Sequence, residues 1–389
     1  MARLALAVVM LLATLWTVGA PAPVAAGGPV EIVADEHAYA FSESLDWNLV
    51  ARSEVPITGV ILFYGREGYP LVRRIYPDVV PGMAIEVAHT ERLEAGQFAP
   101  GTTLRYWWRL ELGDGRQVDT EPQTFEYTDT NQSWQQLAGT HVDLYWYGRD
   151  AARARDILTA ADEAVERLGD EMGVPIERRV RVYVYNSQRD MRPALSSRSE
   201  SYDDRVLTLG VAVDEYTLLL LGTHRDVLRT AAHELSHIVV GIATDNPYTD
   251  LPRWLDEGLA MYAEGELPDD NRDALENAIA ADRVLSIRSM TSYSGQASEV
   301  DLFYGQAHSI VSYLLDTFGR AKLHELLDAF TEGMRQEDAL LRVYGFGLDE
   351  LDDRWRASVG LEPRQRSGVL SAPTVVRGRV AAVALTAGG

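Results

Sequence analysis

No part of this chain is more restrictive than the run Thr223-His224-Arg225-Asp226-Val227-Leu228-Arg229-Thr230-Ala231-Ala232-His233-Glu234-Leu235-Ser236-His237-Ile238-Val239-Val240-Gly241. Leu228, Ala232, Leu235, Ile238, Val239 and Ile242 recur at helical spacing on one face, so the run predicts an amphipathic helix that buries that face. His233 and His237 are thereby turned to the other side. Thr223, followed three residues on by Asp226, has the form of a capping box and sets the expected start of the helix. Side chains four apart stand one turn above the other, and two imidazoles so placed reach a single Zn²⁺ at about 2.0–2.1 Å each. Glu234 projects beside them toward the open position of such an ion, where a carboxylate serves as general base. The longer variant of the motif, with Gly three and His six residues after the second His, is ruled out by Val240 and Ala243.

A third ligand is offered downstream by Leu251-Pro252-Arg253-Trp254-Leu255-Asp256-Glu257-Gly258-Leu259-Ala260-Met261-Tyr262-Ala263-Glu264. Pro252 near a helix start and Leu255, Leu259 and Tyr262 on one face predict a second helix. Glu257 lies 20 residues beyond His237, enough for the first helix to end, a loop through Asp245-Asn246-Pro247 to reverse the chain, and the second helix to pack back. Its carboxylate can then complete a His₂Glu zinc site. Asp256 is open to two readings, a hydrogen bond to a ligand histidine or a solvated helix position. The chain contains no cysteine, so thiolate sites, disulfides and cysteine nucleophiles are excluded and any metal must use His, Asp or Glu.

His233-Glu234-Leu235-Ser236-His237 followed by Trp254-Leu255-Asp256-Glu257-Gly258-Leu259-Ala260 resembles the gluzincin clan of metallopeptidases, most closely the bacterial peptidase MA-like metallohydrolases. The resemblance implies His233, His237 and Glu257 as zinc ligands, Glu234 as catalytic acid/base, and a peptide or protein substrate. Related aminopeptidases of the aminopeptidase N family carry Gly-Ala-Met-Glu-Asn upstream of the zinc helix, whereas this chain reads Leu209-Gly210-Val211-Ala212-Val213, without the glutamate. That departure speaks against recognition of a free amino terminus. Those enzymes also place a transition-state tyrosine in a Tyr-x-Lys-Gly-Ala segment. The comparable stretch here is Asp301-Leu302-Phe303-Tyr304-Gly305-Gln306-Ala307-His308, so the resemblance implies Tyr304 as the phenol that donates to the oxyanion. The lysine is missing, Tyr293 and His308 are rival donors, and a packed aromatic is the alternative reading of Tyr304.

The remainder of the 389 residues divides by character. Residues 29–128 carry short β-like runs, Val30–Val33, Leu45–Val50, Ile57–Tyr64, Leu71–Ile75, Thr103–Leu112 and Thr124–Tyr127, punctuated by Pro, Gly, Asp and Ser. Asp114-Gly115 between two of them marks a hairpin. Together they suggest a β-sandwich with the architecture of an immunoglobulin or fibronectin type III module. Trp107 and Trp108 are adjacent on one run and must face opposite ways, so at most one enters the core. Residues 134–362 begin with strands at His141–Tyr147, Arg179–Tyr185, Val206–Val213 and Tyr216–Leu221 around a helix at Ala151–Met172, and become helical after Arg225. The expected fold is therefore an all-β sandwich followed by an α+β zincin-like catalytic domain, with a poorly ordered tail at 363–389.

The N-terminus, Met1-Ala2-Arg3, an apolar run from Leu4 to Val18 and the small residues Val24-Ala25-Ala26, fits a secretory signal peptide over residues 1–26. Export follows, with membrane association only where the segment stays uncleaved. Asp and Glu number 58 against 36 Lys and Arg, a net charge of −22 that repels a phosphate backbone and argues against a nucleic-acid partner. A different class of function uses the same residues: an extracellular binding or assembly protein with a structural or vestigial zinc site, the sandwich doing the binding.

Overall fold

The computed structural model describes residues 30–196, 209–244, 251–292 and 297–364. The expected leader, the loop through Asp245, the rival donor Tyr293 and the tail beyond Arg364 lie outside them.

Strands β1 (Val30–Ala40), β2 (Ser44–Arg66), β3 (Arg73–Ile75), β4 (Gly82–Arg92), β5 (Thr102–Leu112), β6 (Gln117–Asp119) and β7 (Gln123–Tyr127) join one sheet in which every pairing is antiparallel. The first half of β2 pairs with β1 and β4, its second half with β5 and β3. Inward residues of both halves, among them Trp47, Leu49, Leu62, Tyr64, Trp108 and Leu110, fill one core, which is the expected sandwich. Two runs expected to be separate strands are one: burial keeps alternating through Ala51, Ser53, Val55 and Ile57, so the chain never leaves the sheet. Pro56 has no N–H to give and sits where the register with β4 shifts, while its carbonyl accepts from Gly113 N–H at 2.8 Å. β4 was not anticipated; its signal is the alternation of buried Ile85 and Val87 with exposed Glu86 in an otherwise polar stretch.

The Asp114-Gly115 turn closes β5 onto β6, Leu112 N–H donating to Arg116 C=O at 2.9 Å and Gly115 taking φ 87°. Trp108 is fully buried and donates its indole N–H to Asp35 Oδ1 at 3.0 Å. Trp107 faces the other way and stacks on Phe63 at 4.9 Å.

A second sheet has the order β11 (Gly210–Asp214), β12 (Thr217–Leu221), β10 (Val180–Tyr185), β9 (Val142–Trp146), β8 (Gln135–Ala138). Period-two alternation gives it two apolar faces. Val142, Leu144, Val182, Val184, Leu218 and Leu220 face the helices. Tyr183, Tyr185 and Leu219, with Tyr145, Tyr147, Val211 and Val213, pack into the core of the β-sandwich. The helices are α1 (Ala151–Met172), α2 (Gln188–Met191), α3 (Val227–Ala243), α4 (Arg253–Ala263), α5 (Asp269–Ala280), α6 (Val300–Phe318), α7 (Arg320–Thr331), α8 (Gln336–Tyr344) and α9 (Leu348–Ser358). No helix among the described residues is long and apolar enough to cross a membrane.

The expected helix start at Thr223 is corrected. Helix α3 begins at Val227, and Asp226 makes no side-chain cap bond. The Arg153 guanidinium donates to Gly222 C=O at 3.0 Å and His224 C=O at 2.7 Å, which ties this turn to α1, and the ladder starts only where His224 C=O also accepts from Val227 N–H at 3.3 Å.

Candidate metal centre

Helix α3 presents His233 and His237 one turn apart, and α4 packs back on it to bring Glu257 between them. Glu257 Oε2 lies 3.5 Å from His233 Nε2 and 3.7 Å from His237 Nε2. Ligand atoms 2.0–2.1 Å from a tetrahedral ion stand about 3.4 Å apart, so these separations suit one cation between the three groups. Among the described residues this is the cluster of His, Asp and Glu able to hold a metal, its donor atoms all within 4.8 Å of one another. Two imidazole nitrogens and one carboxylate oxygen form a donor set suited to Zn²⁺. Glu257 is only 2% exposed, so its charge is shielded from water and seeks a positive partner.

Each histidine is held from behind. His233 Nδ1 lies 2.7 Å from Glu264 Oε1, and His237 Nδ1 lies 2.9 Å from Asp256 Oδ1. An ionised carboxylate only accepts, so each Nδ1 donates to its carboxylate, and a metal between the rings would take the Nε2 lone pairs. The carboxylates are anchored in turn: Arg229 Nε lies 3.3 Å from Glu264, and Arg253 Nη1 donates to Asp256 Oδ2 at 3.0 Å. Asp256 is thus a histidine partner, one of its two readings from sequence. Glu264 was missed there, although it lies seven residues after Glu257, two helical turns along the same face. Burial alone would lower the His233 imidazole, but its hydrogen bonds to Glu257 and Glu264 and the charges of Glu234 and Glu264 outweigh this and push it up to about 10. For His237, burial likewise lowers and the Asp256 hydrogen bond and charge, with Glu257, raise; the net direction is up.

Gly258 lets this geometry form. A Cβ there would meet Ala307 C=O and Val311 Cγ2 at 2.6 Å each, so its absence allows α4 to lie directly on α6. Helix α6 in turn brings the half-buried Tyr304 to His233, with ring centroids 6.3 Å apart. His308, one turn further along α6, lies against Tyr262 at 6.3 Å between ring centroids. Burial lowers its pKa and the nearby Glu264 charge opposes that, which places it by the carboxylate behind His233. Glu234 is half-buried beside the pair, and its Oε2 accepts from the Ala212 N–H of β11 at 3.3 Å.

Residues 160–360, more than half of the chain, match the family profile of the Peptidase MA superfamily. The search of curated proteins returned no match. Among solved structures, the chain is similar to the M1 zinc metallopeptidase from Deinococcus radiodurans at 15% identity, covering 85% of this chain and 91% of that one with a TM-score of 0.38. It is also similar to an aminopeptidase N family protein from Idiomarina loihiensis, at 10% identity, 84% and 70% coverage and a TM-score of 0.32. Both likenesses are weak in identity and in superposition.

Proposed function

The chain belongs to the Peptidase MA superfamily, and from that membership we propose that it is a zinc-dependent metallohydrolase that cleaves peptide bonds in peptide or protein substrates. The observation that carries this reading is the meeting of His233 Nε2, His237 Nε2 and Glu257 Oε2 beside Glu234. A zinc ion held by those three atoms would activate a water for attack and polarise the scissile carbonyl. Glu234 then takes the attacking water's proton on its carboxylate and passes it to the leaving amine nitrogen. Its Oε2 is held by Ala212 N–H, which leaves Oε1 for the proton. The Tyr304 hydroxyl donates a hydrogen bond to the oxygen that gains charge as the carbonyl is attacked. Glu264 and Asp256 keep both imidazoles in the tautomer that offers Nε2.

Glu234→Gln tests this. It should retain about one zinc per chain by elemental analysis while turnover of a peptide found in a library screen drops at least about 1000-fold. Unchanged turnover in a zinc-loaded variant would overturn the role of Glu234. The reading as a binding protein with a structural zinc calls for four protein ligands, and three side chains converge here among the described residues. We also propose export, from the run Leu4–Val18 and the small residues at 24–26. Protein recovered from its host should begin near Gly27 by intact mass; a chain that keeps Met1 and sediments with membranes would make the segment an anchor.

A further inference from the structure

We propose that Gly210 and the backbone N–H of Ala212 are the groups that fix the catalytic carboxylate: by having no side chain, Gly210 lets strand β11 close on helix α3, so that Ala212 N–H holds Glu234. This rests on the reading of Glu234 as the proton carrier.

Strand β11 is an edge strand, paired only with β12 among the described residues. Leu221 N–H donates to Leu209 C=O at 2.8 Å, which fixes the phase of this antiparallel ladder. Bonded pairs therefore fall at Leu209 with Leu221 and at Val211 with Leu219. Gly210, opposite Leu220, and Ala212, opposite Leu218, turn their N–H and C=O groups off the open edge. One of those outward groups, Ala212 N–H, is the donor to Glu234 Oε2 at 3.3 Å.

The bond forms only because the strand lies very close to the helix. A Cβ at position 210 would stand 2.8 Å from Thr230 Cγ2, 3.0 Å from Glu234 Cγ and 3.0 Å from Leu220 Cδ2. Gly210 does not have a left-handed φ, so it is the space that requires glycine here, not the backbone conformation. Leu220 is fully buried and the 2.8 Å contact is to a branched side chain on a helix, so a Cβ here presses the strand away from α3. Moving the strand, or moving Glu234 to make room, lengthens the Ala212 bond. Thr230 stands one turn before Glu234, so one face of α3 carries both the methyl that a new Cβ would strike and the carboxylate that Ala212 holds.

Gly210→Ala in the full, zinc-loaded chain should lower kcat roughly 100-fold, the cost of misplacing a reacting group by about an ångström. KM and zinc content should stay at wild-type values. Thr230→Ser removes the methyl that the new Cβ would strike. Alone it should leave kcat unchanged, and combined with Gly210→Ala it should recover most of the loss, which a general weakening of the fold would not do. Wild-type kcat in Gly210→Ala, or no recovery in the double variant, would overturn the proposal. A measurement independent of turnover is the Ala212 amide resonance in a ¹⁵N spectrum. It should move in Glu234→Ala and move in the same sense in Gly210→Ala. An amide that ignores Glu234→Ala sinks the proposal whatever the kinetics. If the wild type hydrolyses no peptide, the peptidase reading fails, while the amide response still decides whether β11 holds Glu234.

Discussion

Two acidic side chains behind the histidines do more than fill space. Glu264 and Asp256 each accept a hydrogen bond from one Nδ1–H, and Arg229 and Arg253 hold them in place. Glu264→Gln should weaken zinc binding about 10- to 100-fold, read by competition with a chelator of known affinity, with little change in folding. The same carboxylates set a pH dependence. His233 is raised from 6.5 to about 10, so in chelator-treated protein its proton stabilises the folded chain fully below about pH 6.5, and this contribution is lost as pH rises toward 10. Melting temperature in EDTA should therefore fall across that interval. In excess zinc the cation replaces the proton, so the fall should vanish, and a parallel fall would refute this account. The two histidines, Glu234 and Glu257 were legible because their spacing has a direct geometric meaning. Glu264 was equally accessible by its two-turn spacing from Glu257, but an acid at the end of a helix has no distinguishing mark until its partner is seen. Tyr304 was reached only through resemblance, since nothing local separates a donor phenol from a packed one.

At the level of elements, the site depends on how tightly α4 is pressed between α3 and α6. Gly258→Ala puts a Cβ against the Ala307 carbonyl and Val311, neither of which has room to yield. The helices must separate, at a cost of about 1–3 kcal/mol, measurable as a lower denaturation midpoint. Zinc affinity should fall with it, because Glu257 is the residue just before and moves with the backbone. Helix α4 was legible from Pro252 and the Leu255, Leu259, Tyr262 stripe; its contact with α6 was not, because close approach is a property of two surfaces. The start of α3 failed in an instructive way. Thr223 and Asp226 have the right identities for a cap, but Asp226 makes no cap bond and the turn before the helix is tied instead to α1 through Arg153, far away in sequence.

On the scale of the whole molecule, the sheet β11-β12-β10-β9-β8 is covered on one face by helices and on the other by the β-sandwich. Turn residues and alternation revealed most of the N-terminal strands, but split β2 into two and missed the polar β4. That Val180–Tyr185 would bury valines on one side and tyrosines against another domain on the other was not visible, since the run reads simply as an apolar strand. The seam contains Asp129, 1% exposed, whose Oδ2 accepts from the Tyr185 hydroxyl at 3.0 Å. Tyr185→Phe removes that donor from a buried carboxylate and should cost about 1–3 kcal/mol in denaturant unfolding of the full chain. A fragment starting at residue 134 should be insoluble or bind a hydrophobic dye, because its tyrosine face has lost its cover. Since β1 to β7 precede β10 in the chain, the strands that cover the tyrosine face are the first to emerge, whether from the ribosome or across a membrane. The half that houses the metal centre takes shape against strands already present, and because Tyr183, Tyr185 and Leu219 belong to their core, the second half finishes the first as it folds.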